Sequence, residues 1–214
     1  MHFILNEINS VANHFLAELR DAQIQQDSMR FRKNMERLGE IFAYEISKGF
    51  KYVDTEFETS LGTAMIPIMK EQPVLATILR AGLPLHRGLL NYFDKADSAF
   101  ISAYRKTSKS HHFTIEIEYV SSPSLNDKIL IIADPMIATG ESMVLCCKEL
   151  IQQYRIKELH IVGVIASKLG LEHIKANLPQ ARLWIGAIDE ELTTRSYIVP
   201  GLGDAGDLAF GIKE

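Results

Sequence analysis

The sequence contains only two cysteines, Cys146 and Cys147, and they are neighbours in the chain. Side chains of adjacent helical residues point in different directions, so the pair is poorly placed for a disulfide and lacks the spacing of metal ligands. Two unpaired thiols are typical of proteins kept in a reducing compartment. We therefore expect a cytoplasmic protein without a disulfide framework.

Long apolar runs and a strong excess of one charge are also missing. No stretch approaches the roughly 18 apolar residues that a transmembrane helix needs, and the N-terminal sequence MHFILNEINS does not have the pattern of a secretion signal. The formal net charge is −4, which argues against a general binder of nucleic acids or of anionic membranes. We predict neither a membrane partner nor a nucleic-acid partner.

Length and composition fit one globular domain. Of the 214 residues, 47% are hydrophobic and 23% are charged, and the sequence has no repeat, low-complexity segment or linker. A chain of this size can bury a substantial core. We therefore assign residues 1–214 to a single domain.

Helical and strand patterns alternate along the chain. Helices are predicted over residues 11–24, 31–46, 85–93, 143–154 and 169–177. Strands are predicted over residues 74–79, 98–104, 113–119, 129–133, 159–166 and 181–187. This alternation predicts an α/β fold with a parallel sheet.

Residues 113–119 alternate between apolar and polar side chains, which predicts a strand with one apolar face. The strand lies between polar loops, so we interpret it as one leg of a projecting hairpin arm over residues 105–123. An isolated hairpin cannot shelter such a face from water. We therefore expect a homodimer or a higher homo-oligomer.

The most informative segment is ILIIADPMIATGES at residues 129–142. An apolar run ends at Asp134, a loop of small and hydroxylated residues follows, and a helical pattern begins immediately afterwards. Free N–H groups at a helix start can bind a phosphate monoester, and the carboxylate can accept hydrogen bonds from sugar hydroxyls. The segment therefore predicts a site for a ribose 5-phosphate. The alternative is an ordinary turn between strand and helix, capped by Thr139 or Ser142.

Three charged residues follow predicted strands. Arg80, Arg105 and Asp134 each come after an apolar run. Ligands of parallel α/β sheets bind beyond the carboxyl ends of the strands, so these side chains are candidates for one site. The alternatives are two surface arginines and an acid that only caps a turn.

The tail segment GLGDAG at residues 201–206 has the form of the dinucleotide fingerprint GxGxxG. That fingerprint needs a preceding strand and a following helix within a βαβ unit. Here Pro200 precedes the segment and only eight residues follow it, so we reject the fingerprint. A glycine-rich loop with Asp204 and Asp207 instead predicts backbone that closely approaches a ligand or a metal.

Four segments together resemble the uracil phosphoribosyltransferase family: ILRAG at 78–82, YR at 104–105, DPMIATGES at 134–142 and YIVPGLGDAGDLAFG at 197–211. The likeness runs from about Phe31 to the C-terminus, and the last segment is the most specific, because the phosphate loop is shared with the wider type I phosphoribosyltransferase group. The resemblance implies the type I fold, a mainly parallel sheet flanked by helices. It also implies N-terminal helices over residues 1–48, the hairpin arm, and a uracil-binding hood over residues 188–214.

The activity implied by the resemblance is that of a pentosyltransferase. It would join uracil to 5-phosphoribosyl 1-diphosphate (PRPP), giving UMP and diphosphate, with Mg²⁺ as cofactor. The implied catalytic residues are Asp134, Arg105 and Asp204. The implied PRPP-binding residues are Arg80, Arg105, Asp134, Pro135, Met136, Ile137, Ala138, Thr139, Gly140, Glu141, Ser142 and Asp204. The implied uracil-binding residues are Ile198, Gly203, Asp204 and Ala205. Mg²⁺ would be held mainly by PRPP, with Asp204 as the candidate protein ligand, and GTP is a candidate effector.

The sequence departs from the family pattern at several segments, including the phosphate loop and the residues that follow a later strand. Glu141 stands where the phosphate loop usually has a second glycine, and ASKLG at residues 166–170 replaces the usual AAPEG. Two other functions therefore stay open: a non-catalytic or RNA-binding regulatory protein that senses PRPP or UMP, and a phosphoribosyltransferase for another base. The negative net charge argues against RNA, and the tail at residues 197–207 favours uracil.

Overall fold

The structure is a computed structural model that describes residues 2–107 and 113–213, with backbone only at residues 104–107 and 113–115. The strands are β1 (His2–Ile4), β2 (Tyr52–Thr59), β3 (Gly62–Met69), β4 (Val74–Leu79), β5 (Asp97–Thr107), β6 (Phe113–Ser121), β7 (Ile129–Ala133), β8 (Met136–Ile137), β9 (Glu158–Ser167), β10 (Arg182–Asp189), β11 (Glu191–Leu192) and β12 (Ile198–Val199). The α-helices are α1 (Ala12–Arg20), α2 (Ser28–Ser47), α3 (Leu83–Tyr92), α4 (Glu141–Gln153), α5 (Lys168–Asn177) and α6 (Ala205–Phe210).

The central sheet has the strand order β1-β10-β9-β7-β4-β5-β6, with β8 paired to β9 beyond the end of β7. All of these pairings are parallel except that of β5 with β6. The topology places the carboxyl ends of β4, β7, β9 and β10 along one edge of the sheet, where ligands of such folds bind.

Helices cover both faces of the sheet. Along β7, Leu130 and Ile132 join the core on the side of α4 and α5, while Ile131 and Ala133 join the core on the side of α1, α2 and α3. All five residues of β7 are buried. Burial on both faces explains why this strand reads as an unbroken apolar run in the sequence.

The first predicted helix ends earlier than expected, because α1 stops at Arg20 rather than at residue 24. Asp21 adopts an extended conformation, with ψ of 118°, and its carboxylate accepts hydrogen bonds from the N–H groups of Gln23 and Ile24. A side chain that binds nearby backbone groups in this way offers an alternative to the helix.

The strand before Arg105 is longer than predicted. We expected it to end at residue 104, but β5 continues to Thr107 and pairs antiparallel with β6, with Arg105 opposite Ile115. The prediction that Arg105 follows a strand end was therefore wrong. Residues 113–119 form the predicted second leg, and β6 is an edge strand of the central sheet. The predicted arm also contains residues 108–112, which lie outside the described part of the chain.

A second hairpin, β2–β3, was not predicted and forms its own two-stranded sheet. Val53, Phe57, Ile66 and Ile68 are between 40% and 50% exposed on it. The register pairs Val53 with Ile68 and Thr55 with Ile66, so these apolar side chains share one face.

None of the described helices is both long and apolar enough to cross a bilayer.

Candidate active site

A cleft opens beyond the carboxyl ends of β4 and β7. It consists of two adjoining cavities, of about 350 and 420 Å³, that are both lined by Ala81, Asp134, Asp204 and Gly206. The first cavity extends under the hood along residues 195–198 and 203–206, and the second extends to Arg80 and Ser142. The structure therefore brings three separate predicted segments to one place.

A larger cavity, of about 740 Å³, lies at the opposite end of the strands, where β9 and β10 begin. Its three cations are Arg155, Lys157 and Arg182, and each forms an ion pair with a neighbouring carboxylate. The cleft beyond β4 and β7 is the better candidate because its polar groups converge from different elements.

The phosphate loop, residues 134–142, leads from β7 to the start of α4. Gly140 caps that helix with a positive φ of 77°, and it supplies no side-chain cap. Thr139 Oγ1 accepts from the N–H of Glu141 at 3.4 Å, which is long for a hydrogen bond. The capping alternative with Thr139 or Ser142 as the cap residue is therefore wrong. The first N–H groups of a helix have no carbonyl partner within it, so the start of α4 suits an anion.

The start of α5 supports the phosphate loop from behind. A Cβ on Gly140 would lie 2.6 Å from the carbonyl oxygen of Gly170, and a Cβ on Gly170 would lie 2.4 Å from that of Ala138. The hydroxyl of buried Ser167 donates to the carbonyl of Ala138 and accepts from the N–H of Gly170. In the sequence, Ser167 is notable only as part of the ASKLG departure from the family pattern, and no local motif predicts its contact with Ala138.

Asp134 is half-buried and is the first residue of the phosphate loop, directly after β7. Burial raises its pKa to about 7, and a hydrogen bond from the N–H of Met136, at 3.3 Å, opposes that rise. The nearby Cys146 thiol has its pKa raised to about 12 by burial and by the Asp134 carboxylate, so it stays protonated at neutral pH. A carboxyl group with a strongly raised pKa in a cleft is typical of a functional site.

Arg80 follows β4 and reaches across the cleft to the hood. Its Nη2 donates to the Asp207 carboxylate at 3.0 Å and to the carbonyl of Gly211 at 3.3 Å. Its Nε is buried and has no partner in the described part of the chain. Arg80 therefore keeps an unused donor next to Asp204 and Gly206. The side chain of Arg105, the other predicted arginine, lies outside the described residues.

The hood presents the predicted base-binding residues to the same cleft. Ile198, Gly203, Asp204 and Ala205 all line the cavity that contains Asp134. Gly203 has a φ of 90°, which favours glycine, and the Asp204 carboxylate caps α6 by accepting from the N–H of Asp207 at 3.0 Å. The dinucleotide fingerprint is excluded because β12 has two residues, pairs antiparallel with β11 and belongs to no βαβ unit.

The remaining predicted PRPP residues divide between cleft and core. Met136, Ala138 and Ser142 line the cleft. Pro135 and Ile137 do not, because the carbonyl of Pro135 accepts from β9 and the side chain of Ile137 is buried in the core. These two residues support the loop.

The carboxylates of the cleft suit a metal that is shared with a substrate. No group of three His, Cys, Asp or Glu side chains lies close enough to hold a metal among the described residues. Mg²⁺ commonly takes one or two carboxylates and completes its shell with water and substrate phosphates. Asp204 lines both cavities, as Asp134 also does, so the predicted ligand Asp204 is available for such a role.

Comparison with known proteins agrees with this geometry. The sequence model of the family described as uracil phosphoribosyltransferase matches residues 8–212. A curated relative from Porphyromonas gingivalis, named uracil phosphoribosyltransferase, is 50% identical over 206 residues, which cover 96% of this chain and 95% of the relative. A protein of the same name from Thermococcus gammatolerans is 40% identical over 92% of this chain and 87% of its own.

A solved structure has the same architecture over the whole length. The AQ2163 protein from Aquifex aeolicus superposes with a TM-score of 0.88 at 28% identity, covering 99% of both chains. The helices, the sheet and the hood described above are therefore found together in an experimentally determined structure of a similar protein.

Proposed function

The chain belongs to the uracil phosphoribosyltransferase family, and we propose from this premise that it transfers the 5-phosphoribosyl group of PRPP to uracil, giving UMP and diphosphate. The observation that carries the proposal is the shared cleft. Asp134 and Ser142 of the phosphate loop, Arg80, and residues 203–206 of the hood all line it. The enzyme is a pentosyltransferase, and the reaction salvages a free pyrimidine base.

Asp134 and the phosphate loop bind the ribose 5-phosphate. The N–H groups at the start of α4 hold the phosphate, and the Asp134 carboxylate accepts hydrogen bonds from the ribose hydroxyls. Two hydroxyl donors favour the ionised carboxylate, so we expect bound substrate to lower the pKa that burial has raised to about 7.

The hood recognises the base through its backbone. Uracil presents carbonyl acceptors and an N–H donor along one edge, and fixed backbone N–H and C=O groups can match that edge without a charged side chain. Gly203 permits the close approach, since it has no Cβ and a φ of 90°. We assign Ile198, Gly203, Asp204 and Ala205 to this surface.

Catalysis is electrostatic and positional. Uracil N1 bonds to C1′ of the ribose and loses its proton to solvent as the bond from C1′ to the diphosphate oxygen breaks, so negative charge builds on the leaving group. Arg80 donates to that group, and we assign the same role to Arg105 by the family resemblance. Mg²⁺, when bound, neutralises the diphosphate, with Asp204 as the protein carboxylate beside it. No nucleophilic side chain is needed.

The apolar face of the β2–β3 hairpin supports a homo-oligomer. Phe57 is 40% exposed and Ile66 is 47% exposed on that face. By contrast Ile117 of β6 packs against the core, so the apolar face of residues 113–119 is used at least in part within the chain. We propose that a second copy covers the hairpin. GTP as an effector and a cytoplasmic location remain predictions.

No observation in the described residues favours a non-catalytic or RNA-binding protein. Arg80, Asp134 and Asp204 are all retained and converge on one cleft.

The proposed function is tested by incubating the protein with PRPP, Mg²⁺ and one free base at a time while measuring diphosphate release. Uracil should release diphosphate and form UMP, and cytosine, hypoxanthine and adenine should not. Release with a different base would change the assigned substrate. Binding of PRPP without release from any base would support the regulatory alternative.

A further inference from the structure

A closed set of hydrogen bonds joins α1 to the hood. Nη1 and Nη2 of Arg20 each donate to the Asp189 carboxylate at 2.8 Å. The same carboxylate accepts from the N–H of Gly201 at 2.8 Å, and Nη1 of Arg20 donates to the carbonyl of Gly201 at 2.9 Å. The N–H of Gly201 is therefore hydrogen-bonded to Asp189 and its carbonyl to Arg20, the two partners of one ion pair.

The local structure explains why these side chains meet. Arg20 is the last residue of α1, where the helix dipole favours a cation. Asp189 is the last residue of β10, so it lies at the same sheet edge as the cleft. Its side chain is only 6% exposed and that of Arg20 is 24% exposed. An arginine that donates two parallel hydrogen bonds to one carboxylate fixes the relative orientation of the two side chains.

Charge and burial act on Asp189 in opposite directions. Burial alone would raise its pKa, but the hydrogen bonds from Arg20 and from the N–H of Gly201 hold the pKa below its usual value. Asp189 is therefore ionised at neutral pH, and the ion pair is intact under working conditions.

The ion pair holds a segment that has little freedom of its own. Gly201 has a φ of 58°, and a Cβ at this position would lie 2.1 Å from the carbonyl oxygen of Ile198. Residues 198–205, which we call the base-binding loop, contain Gly201 between Ile198 and Gly203. Both of these residues line the cleft. Displacement of Gly201 must therefore displace groups that face the base.

We propose that Arg20 and Asp189 are positioning residues that fix the base-binding loop and so set the affinity and selectivity for the nucleobase. The proposal rests on the proposed function, because it assumes that residues 198–205 bind the base. Backbone recognition works only while the N–H and C=O groups stay in register with the ligand, and a displacement of about 1 Å can lower the rate a hundredfold.

The proposal predicts a much larger effect on uracil than on PRPP. The phosphate loop is supported separately, by Ser167 and Gly170 at the start of α5. Of the residues assigned to PRPP only Asp204 lies in the base-binding loop, so loss of the ion pair should change KM for PRPP far less than KM for uracil. A purely structural role would instead reduce the folded, active fraction and would leave the KM of both substrates as they are.

The decisive experiment compares Arg20→Met with the wild type. We expect kcat/KM for uracil to fall by roughly tenfold, mainly through KM, while KM for PRPP changes by less than about twofold. The ratio of uracil to cytosine activity should also fall. Arg155→Met is the matched control, because Arg155 forms a similar ion pair with Asp127 on the surface, and it should leave both constants unchanged.

Two further variants separate positioning from stability. Arg20→Lys keeps the charge but cannot bind both carboxylate oxygens and the Gly201 carbonyl together. It should raise KM for uracil by less than Arg20→Met does, and it takes the place of Arg20→Met if that variant does not fold. Ile46→Val should lower the melting temperature through the buried core without changing either KM. The proposal would be overturned if KM for uracil and KM for PRPP changed equally, or if neither Arg20→Met nor Arg20→Lys changed KM for uracil. An inactive wild type would instead count against the proposed function itself.

Discussion

The hydroxyl of Ser167 donates a hydrogen bond to the carbonyl of Ala138, and it accepts one from the N–H of Gly170 at 2.9 Å. One oxygen atom thus connects the phosphate loop to the first turn of α5. Ser167 is completely buried, so water cannot replace it in either hydrogen bond. The geometry of the phosphate site therefore depends on a side chain that does not reach the substrate.

Replacing Ser167 by alanine should raise KM for PRPP by roughly fivefold, since a neutral hydrogen bond contributes about 1 kcal/mol. KM for uracil should not change. The variant should also melt at a lower temperature, because Ser167 caps α5. Ser47→Ala, which removes a hydroxyl bonded to a carbonyl at the exposed end of α2, is the control. An unchanged KM for PRPP would show that Ser167 acts only as a helix cap.

Asp134→Asn should reduce kcat/KM for PRPP by roughly a hundredfold or more while the fold stays intact. The asparagine has the same shape but cannot provide a negative oxygen for the ribose hydroxyls. Burial disfavours the ionised carboxylate of Asp134 in the free protein, so this residue holds its proton more tightly in the folded state than in the unfolded chain. Its contribution to the free energy of unfolding therefore decreases as the pH rises from about 4 toward 7. The variant should therefore melt at the same or a higher temperature at pH 8. Unchanged specific activity would remove Asp134 from the site.

Glu141→Gly should lower KM for PRPP by roughly fivefold, because a phosphate dianion held at the start of α4 would be repelled by the exposed carboxylate at the first residue of that helix. The variant should melt slightly lower, since an acid in the first turn stabilises a helix. Glu141→Gln tests whether charge is the cause, and it should produce most of the same decrease. A KM that stays constant or rises in both variants would mean that the carboxylate points into solvent or assists binding.

Sedimentation velocity at micromolar concentration should show a dimer or a larger species. Phe57→Asp places a charge on the apolar face of the β2–β3 hairpin and should produce a lighter species. Met65→Asp is the matched control, because Met65 is 63% exposed on the same hairpin but pairs with Glu56 on the opposite face. A wild-type mass equal to that of a monomer would contradict the proposal.

The contribution of His160 to stability should fall as the pH drops below about 6.5, because this residue is completely buried in β9, whereas the contribution of Asp134 changes in the opposite direction. Burial and the charge of Arg182 lower the pKa of His160 to about 4, although Glu158 acts in the opposite direction. The unfolded chain binds the proton more readily, so this contribution is lost between the unfolded and folded pKa values, by roughly 1.4 kcal/mol per pH unit.

Trp184 gives a direct measurement of this loss. It is the only tryptophan in the sequence, and its Nε1 donates to Nδ1 of His160 at 3.1 Å. Urea unfolding of Asp134→Asn, in which the opposite effect of Asp134 is absent, should show the decrease by tryptophan fluorescence between pH 7.5 and pH 5.5. Adding His160→Gln should reduce that decrease. An equal decrease in the double variant would assign the effect to other groups, such as buried His86, whose pKa is also lowered by burial.

The sequence predicted the parts of the fold that have strong local patterns. The α/β architecture and the type I phosphoribosyltransferase fold are confirmed, and β4 and β7 have the predicted bounds because buried strands form continuous apolar runs. The β2–β3 hairpin was missed because it does not pack into the core. The end of β5 was missed because Arg105 to Thr107 are polar and are held in the strand by pairing with β6.

The candidate site shows the same division. Asp134, the phosphate loop and the hood could be found because each is a continuous motif, and the structure brings them into one cleft. Arg20 and Asp189 could not be found, since they are 169 residues apart and neither lies in a recognisable pattern. Arg80 was predicted, but its bond to Asp207 depends on the folded hood and has no local signal.

The bond between Arg20 and Gly201 spans 181 residues of chain, and this separation gives the site an order of assembly on the ribosome. At ordinary synthesis rates, Arg20 emerges on the order of ten to forty seconds before its partner. The phosphate loop is made in between, together with the strands that support it. A nascent chain can therefore complete its phosphate cradle while it still has no surface for the base, and transfer can begin only after the last of the three partners has been translated.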